Sequence, residues 1–201
     1  MLHIYLAPLP VSDGIPSEPL CPPERQREVD SAADPLTRAQ KYFVWRLLDC
    51  TLQNSAGIDT SKAGLFKAES GKWCTPCCEI SLSHSKNALA VAISDRPVGI
   101  DIELISPPRS ARFAEWVLTP DELSELAALP DGCRAEFIIS RWTAKESIYK
   151  RTGKEPFIPS ATATDPRTEY TRKVKVGGEA FALSVSCESL DGLTVFTPEN
   201  F

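Results

Sequence analysis

Two acidic residues, Asp101 and Glu103, lie two positions apart in the segment VGIDIE. Apolar residues alternate with them, and successive side chains of a β-strand point to opposite faces. The two carboxylates should therefore share one face of a strand, where Gly99 leaves room for another group to approach. Carboxylate oxygens suit a hard cation such as Mg²⁺. The alternative, from the spacing alone, is a pair of solvated carboxylates on an exposed sheet face.

A third carboxylate, Glu146, continues a helical row that begins with the apolar Ile138 and Trp142 and ends with Lys150. A carboxylate on such a row is costly to bury unless a cation meets it. Residues 141–154 also hold five Lys and Arg residues against this one Glu, a local charge of +4 that favours an anion. The alternative is an ordinary Glu–Lys pair, one helical turn apart, on a solvated surface.

Hydroxyl, imidazole and ammonium groups in the first half of the chain are candidates for binding phosphate oxygens. His84 lies between Ser83 and Ser85 at the predicted end of a strand, and Lys72 follows Gly71. All of these side chains can donate hydrogen bonds to an anion. The alternatives are a packed or hydrogen-bonded histidine and a surface lysine.

A mixture of strands and helices must position these residues. Strands are predicted at 2–6, in CEISLS, at 88–93 and in VGIDIE, with a turn at 94–97 that joins the last two as a hairpin, and again in the tail after Pro159. Helices are predicted for about four turns from Leu36, from Thr119 to about Leu129, and over about 133–152, ended by Gly153. This mixture indicates an α+β fold.

The composition argues against several classes of protein. The chain has 201 residues and a formal charge of −5, so no overall basic field exists to hold a nucleic acid. No apolar run approaches the roughly 20 residues of a membrane helix and no signal peptide is evident, so we expect a cytoplasmic protein with no membrane partner. The seven cysteines, an odd number, fit a reducing compartment. Cys74, Cys77 and Cys78 offer one zinc-like pair without a second, so structural zinc is disfavoured.

Three blocks of the sequence, in this order and spacing, resemble the 4′-phosphopantetheinyl transferase superfamily. The blocks are ISLSHSKNALAVAI, PVGIDIE and RWTAKESIYKRTGK, which together extend over about residues 80–153. The similarity is strongest to the single-chain type that activates peptide and polyketide synthases. It implies Mg²⁺-dependent transfer of the phosphopantetheine arm of coenzyme A to a serine hydroxyl of an acyl or peptidyl carrier protein, with release of 3′,5′-ADP. The carrier could serve fatty-acid, polyketide or nonribosomal peptide synthesis.

The resemblance also implies roles for the acidic and basic residues of the second half. Asp101, Glu103 and Glu146 match the family's metal ligands, which hold Mg²⁺ against the coenzyme A pyrophosphate. Glu146 is in addition the candidate general base, acting directly or through water. Lys150 matches the lysine that contacts the phosphates and stabilises the leaving group.

In the first half, the resemblance implies contacts with the coenzyme. Ser83 and His84 match residues that contact the nucleotide phosphates, and Lys72 is similar to a further coenzyme-contacting lysine. Arg38, and less closely Arg25, resemble basic residues at the 3′-phosphate. The chain departs from the family at the position after the Ser-His-Ser block, where many members have Gly and this sequence has Lys86.

The fold implied by the resemblance is two similar α/β halves related by a pseudo-twofold axis, with coenzyme and Mg²⁺ in the cleft between them. The halves would be residues 1–95, with the nucleotide contacts, and residues 96–201, with the metal site and the catalytic helix. By analogy, residues 112–123 would dock the carrier protein through Phe113, Trp116 and Val117, and the alternative is that these three are core residues. We expect a monomer.

Two other hypotheses compete with a transferase. The first is a non-catalytic relative that binds coenzyme A or carrier proteins, which a missing carboxylate would favour, although all three are present. The second is a different Mg²⁺-dependent phosphate enzyme, such as a phosphodiesterase, that consumes coenzyme A without an acceptor.

Overall fold

The computed structural model describes residues 1–10, 14–20, 22–108, 110–198 and 201. Its nine strands and five α-helices are, in chain order, β1 Leu2–Pro8, α1 Pro23–Asp30, α2 Pro35–Ala56, β2 Phe66–Lys67, β3 Trp73–Cys74, β4 Glu79–Ser85, β5 Ala88–Ser94, β6 Val98–Leu104, α3 Ala111–Val117, α4 Pro120–Ala128, α5 Asp131–Thr152, β7 Glu169–Val176, β8 Glu179–Cys187 and β9 Leu193–Phe196. This mixture of helices and strands confirms the predicted combination of α and β structure. No helix of these described residues is both long and apolar enough to span a membrane.

The first sheet has the strand order β4-β5-β1-β9, and the long helix α2 packs on it. The helix begins where the Asp34 side chain accepts a hydrogen bond from the backbone N–H of Thr37 at 2.7 Å, with Pro35 at the first helical position. It ends at Gly57, whose φ of 65° needs a residue without a Cβ atom. The helix predicted from Leu36 is therefore confirmed, and it is longer than the four turns expected.

The predicted hairpin between residues 88–93 and the VGIDIE strand is wrong. Strand β5 pairs with β4 and β1, whereas β6 pairs with β8 in another sheet. Every residue of β5 is buried, because one face packs with α2 and the other meets the apolar face of β6. The true hairpin joins β4 to β5 through Lys86, which has a φ of 51°, and Asn87. His84 accordingly lies inside β4 and not beyond its end.

The second sheet has the order β6-β8-β7, and α5 packs across it. The helix ends at Gly153 with a φ of 60°, as predicted. Thr119 and Glu122 form the predicted capping box at the start of α4. Apolar residues of both sheets share one core cluster, to which β6 contributes Val98, Ile100 and Ile102. The opposite face of β6 therefore carries Asp101, as the alternation in sequence predicted.

Candidate active site

Strand β6 is held at the edge of the second sheet by hydroxyl groups of β4. The backbone N–H groups of alternate β6 residues donate to serine Oγ atoms at 3.0, 3.2 and 3.3 Å, in the pairs Ile100–Ser81, Ile102–Ser83 and Leu104–Ser85. We call these three serines the serine ladder. It satisfies backbone donors that would otherwise be buried without a partner. It also places the acidic side chains of β6 against β4.

Asp101 lies at the centre of this junction and is only 4% exposed. Its Oδ1 atom accepts hydrogen bonds from Ser83 Oγ at 2.8 Å and from Lys150 Nζ at 2.7 Å. Its Oδ2 atom is buried and has no hydrogen-bond partner among the described residues. An ionised oxygen left in this condition is costly, and a bound cation would relieve that cost. The site therefore fits a metal ion.

Two further carboxylates surround Asp101. Glu103 Oε2 accepts a hydrogen bond from Ser85 Oγ at 2.6 Å. Burial and the negative charge of Asp101 both raise the pKa of Glu103. Burial, followed by the charge of Asp101, raises the pKa of Glu146 to about 7. The three acidic groups thus repel one another in a poorly solvated space, which again favours a cation.

The carboxylates are neighbours, yet they do not converge on a single point. Among the residues that the structure describes, no group of three or more His, Cys, Asp or Glu side chains is arranged to hold a metal ion. Lys150 and the serine ladder engage the carboxylate oxygens instead. The cysteine cluster does not form a ligand group either, and Cys74, Cys77 and Cys78 are free thiols.

Gly99 sets the position of the helix that carries Glu146 and Lys150. A Cβ atom at this position would collide with the backbone carbonyl oxygen of Ser147 and lie 2.6 Å from the backbone nitrogen of Arg151. Helix α5 therefore approaches β6 more closely than any side chain at position 99 would permit. This contact brings Lys150 within 2.7 Å of Asp101 on the neighbouring part of the strand.

A cleft of about 490 Å³ lies between β4 and the end of α5, and Lys150, which bonds to Asp101, lines it. The three carboxylates themselves do not line this cleft. The structure brings three of the predicted phosphate-binding residues, Lys72, His84 and Lys150, to its walls, together with Arg25. Arg38 does not line the cleft, because its exposed guanidinium donates to the backbone oxygen of Ala32 at 2.8 and 3.1 Å. The arginines that line the cleft are Arg151 and Arg25, and Arg25 is buried with its guanidinium 5.0 Å from the centre of the Trp45 ring.

Two of the predicted coenzyme contacts, Ser83 and Lys72, already make hydrogen bonds within the protein. Ser83 is buried and already engaged, since it donates to Asp101 and accepts from the Ile102 backbone and from Lys150 at 3.2 Å. Lys72 Nζ donates to the backbone oxygen of Val98 at 3.1 Å, and burial lowers the pKa of Lys72. Lys72 thus reaches the start of β6 from the first half of the chain.

The charged side chains that line the cleft are all basic, although the protein is acidic overall. They are Arg25, Lys72, Lys150 and Arg151, and each is also paired with a carboxylate outside the lining. Burial and the nearby charges of Arg25, Lys150 and Lys41 lower the pKa of His84 to about 4. The imidazole is therefore neutral at pH 7 and can donate one hydrogen bond without adding charge. An anion entering the cleft would meet these cations in a partly desolvated space. The predicted phosphate site is consistent with this electrostatic environment.

The unusual pKa of His84 gives a direct test of the cleft electrostatics. An NMR titration should place its pKa near 4, with the resonance assigned by its loss in His84→Gln. Because the unfolded chain binds this proton at about pH 6.5, folding stability should fall as pH drops from 6.5 towards 4, by about 1–2 kcal/mol between pH 7 and 5. Urea unfolding of both proteins checks this, since His84→Gln should lose less stability. A His84 pKa near 6.5 would contradict the electrostatic account.

One of the basic residues in α5 does not take part in the positive charge that the sequence predicted for this helix. Lys145 is wholly buried, and its ammonium donates to Glu122 at 2.6 Å and to the Val117 backbone oxygen at 2.8 Å. It is therefore neutralised within the protein and does not add to the positive charge offered to an anion. The capping box identified Glu122 in the sequence, but nothing in the spacing showed that Lys145 would reach it.

The segment predicted to dock a carrier protein divides between core and surface. Val117 is fully buried and packs with Leu118 and Ile138. Trp116 is 50% exposed, and its ring lies 5.0 Å from that of Trp142. Phe113 is partly buried in the same aromatic cluster. Val117 is therefore a core residue, as the alternative interpretation predicted, whereas Trp116 presents an exposed aromatic surface.

Known proteins match the part of the chain that holds the three carboxylates and Lys150. Residues 97–188 match the model of the 4′-phosphopantetheinyl transferase superfamily. The chain is 38% identical over 79 residues to 4′-phosphopantetheinyl transferase psf-1 from Bacillus pumilus, a match that covers 39% of this chain and 34% of the relative. It is 30% identical over 105 residues to 4′-phosphopantetheinyl transferase Sfp from Bacillus subtilis (strain 168). That match covers 51% of this chain and 46% of the relative.

A shorter match joins the chain to a second kind of relative. It is 45% identical over 60 residues to holo-[acyl-carrier-protein] synthase from Streptococcus sanguinis (strain SK36), covering 27% of this chain and 50% of the relative. The matched part of the chain thus spans between a third and a half of the length of these curated relatives. The predicted resemblance is confirmed over residues 97–188, which carry Asp101, Glu103, Glu146 and Lys150 and are similar to the 4′-phosphopantetheinyl transferase superfamily.

Proposed function

We propose that this protein transfers the 4′-phosphopantetheine arm of coenzyme A to a serine hydroxyl of an acyl or peptidyl carrier protein and releases 3′,5′-ADP. The observation that carries the proposal is the buried Oδ2 of Asp101, which has no hydrogen-bond partner among the described residues and lies near two other carboxylates. Lys150 bonds to Oδ1 of the same Asp101 and lines the cleft. The relatives named above supply the reaction class, because their names state this transfer or the synthesis of the holo carrier protein.

Asp101, Glu103 and Glu146 are the proposed ligands of Mg²⁺. When bound, the cation would neutralise charge on the pyrophosphate oxygens as the transfer proceeds. Burial, together with the negative charge of Asp101, raises the pKa of both Glu103 and Glu146. Negative charge that is poorly solvated in this way supports the assignment. Coenzyme A is the co-substrate, and we place its phosphates in the 490 Å³ cleft.

The residues of the chain can account for the proton and charge movements of the transfer. The carrier serine oxygen forms a bond to the phosphorus that bears pantetheine, and the bond from that phosphorus to the bridging oxygen breaks. Glu146 takes the serine proton directly or through water. Lys150 and His84 lie beside the cleft and donate to the phosphate oxygens, on which negative charge gathers. Lys72 and Arg25 would hold the nucleotide phosphates.

The connectivity of the fold supports two similar halves related by a pseudo-twofold axis. In residues 1–95 the long elements are, in order, a strand, a 22-residue helix and two strands, with the short α1, β2 and β3 between them. The first of these strands pairs with the last. Residues 96–201 repeat that order with β6, the 22-residue α5, β7 and β8, and again the first strand pairs with the last. Strand β9 is the exception, because it joins the first sheet from the second half. We place the boundary between β5 and β6.

The proposed partner and setting follow from the same features. Trp116 and Phe113 offer an exposed aromatic surface for an apolar part of a carrier helix. We infer a monomer, and a reducing cytoplasm suits the free thiols of the six cysteines in the described residues.

The release of 3′,5′-ADP distinguishes a transferase from a hydrolase. The protein is incubated with coenzyme A and Mg²⁺, with or without an apo carrier protein, and the nucleotide is quantified by chromatography. We expect 3′,5′-ADP to appear only when the carrier is present, in an amount equal to the carrier modified. Equal release without a carrier would indicate a phosphodiesterase. Coenzyme binding with no release under any condition would indicate a non-catalytic relative.

Lys150 should affect turnover more than coenzyme binding. Replacing it in Lys150→Met keeps much of the aliphatic stem and removes the ammonium, so kcat should fall by roughly 10²–10³-fold. The KM for coenzyme A should rise less, because Arg25 and Lys72 remain in the cleft. Lys154→Met, at an exposed position beyond the end of the same helix, is the matched control. An unchanged kcat in folded Lys150→Met would refute the role given to this ammonium.

A further inference from the structure

The Ser85 hydroxyl is bonded to two consecutive residues of β6. It accepts a hydrogen bond from the backbone N–H of Leu104 at 3.3 Å and donates to Glu103 Oε2 at 2.6 Å. A serine hydroxyl has one hydrogen and two lone pairs. Because the backbone N–H supplies a hydrogen to the oxygen, the single hydroxyl hydrogen is left for the carboxylate. The hydrogen bond from the Leu104 backbone therefore directs the Ser85 hydroxyl hydrogen towards the Glu103 carboxylate.

We infer that Ser85 is a positioning residue that holds the Glu103 carboxylate for metal binding. This inference rests on the proposed function, in which Glu103 is a metal ligand. Glu103 and Asp101 lie two residues apart on the same face of β6, so repulsion between their like charges would push an unrestrained Glu103 side chain away. The short hydrogen bond from Ser85 opposes that displacement. A hydrogen-bonded partner that orients a ligand in this way commonly changes metal affinity by 10–100-fold.

The serine ladder contains its own control. Ser81 accepts the same kind of bond from the Ile100 backbone N–H, at 3.0 Å, and is also buried. In the described part of the chain, Ser81 donates no hydrogen bond to a carboxylate. Loss of the Ser81 hydroxyl thus removes a ladder bond without releasing an acidic side chain. Ser83 is unsuitable for this comparison, because it is among the proposed coenzyme contacts.

The test compares Ser85→Ala with Ser81→Ala in the full chain. Mn²⁺ is used as the probe, with free Mn²⁺ measured by electron paramagnetic resonance. The measurement is made without coenzyme A, because Ser81 lines the cleft in which the coenzyme phosphates are placed. We expect the Mn²⁺ dissociation constant to rise about tenfold in Ser85→Ala and less than twofold in Ser81→Ala. The urea midpoints of both variants should fall, since each loses one ladder bond. Ser85→Ala also loses the bond to Glu103, whereas Ser81 is the more deeply buried of the two serines. Ser85→Thr, which keeps a hydroxyl, should restore the affinity.

Steady-state kinetics supply a second readout. In Ser85→Ala the KM for Mg²⁺ should rise about tenfold, while kcat at saturating Mg²⁺ should stay within twofold of the unmodified protein. If Ser85→Ala does not fold, Ser85→Cys nearly keeps the side-chain volume and offers only a weak donor, so it should also raise the dissociation constant.

The outcomes separate this inference from the proposed function. Equal Mn²⁺ affinities in Ser85→Ala and Ser81→Ala, with arm transfer intact in the unmodified protein, would overturn the role of Ser85 and leave the function standing. A tenfold difference in affinity without any arm transfer would support the role of Ser85 and contradict the function. No Mn²⁺ binding by the unmodified protein would overturn the inference together with the proposed metal site.

Discussion

Replacing Asp101 by asparagine should reduce phosphopantetheine transfer at least about 10³-fold and abolish its dependence on Mg²⁺. The substitution keeps the size of the side chain and removes the charge at the point where Lys150, Ser83 and the proposed cation meet. It should also lower the pKa of Glu146, because the charge of Asp101 contributes to raising it. Transfer is measured over a range of Mg²⁺ concentrations with an apo carrier protein.

The matched control for this substitution is Asp191→Asn, at an exposed position before β9 and outside the proposed docking segment. It changes the net charge equally and should leave transfer within about twofold of normal, since surface substitutions usually have small effects. Circular dichroism should show that Asp101→Asn is folded. Full activity in that folded variant would show that the proposed metal site is wrong.

Replacing Gly99 by alanine should destabilise the protein by about 1–3 kcal/mol or more and disturb the active site at the same time. The added Cβ atom would collide with the Ser147 carbonyl oxygen and the Arg151 nitrogen, both of which belong to the backbone of α5 and cannot rotate away. The helix must then move from β6 and carry Glu146 and Lys150 with it. Urea unfolding measures the loss of stability, and transfer assays measure the displacement of the site.

Gly132 provides the control within the same helix. A Cβ atom there would meet nothing within 4 Å, and the residue lies exposed in the first turn of α5. Gly132→Ala should therefore be neutral or stabilise the protein by up to about 1 kcal/mol, through helix propensity. If Gly99→Ala behaved in the same way, the close contact between α5 and β6 would not be what positions the catalytic helix.

The local features of the active site could be predicted from sequence because they depend on short-range periodicity. Alternation in VGIDIE placed Asp101 on the face of β6 opposite its apolar residues, and the capping box and Gly153 located α4 and the end of α5. A three-to-four-residue repeat put Glu146 and Lys150 on one row of α5, and the structure places Lys150 beside Asp101. These patterns belong to single elements and need no knowledge of their neighbours.

Features that depend on which elements are neighbours could not be predicted in this way. The apolar run of β5 indicates a strand buried on both faces, but it does not reveal which strands pair with it. Strand β5 pairs with β4 and β1, whereas β6 pairs with β8. Arg25 and Arg38 looked alike in sequence, and only the course of the proline-rich segment brings Arg25 to the cleft. The serine ladder is likewise a contact between distant strands, although its period of two was visible in SLSHS.

Intact-mass spectrometry of an apo carrier protein tests the central claim most directly. Several acyl and peptidyl carriers are incubated with this protein, coenzyme A and Mg²⁺, and a parallel sample contains EDTA. The account predicts that at least one carrier gains the mass of a single phosphopantetheine arm, that EDTA prevents the gain, and that Asp101→Asn prevents it too. A gain that persists in EDTA, or no gain on any carrier despite measurable coenzyme A binding, would contradict the account.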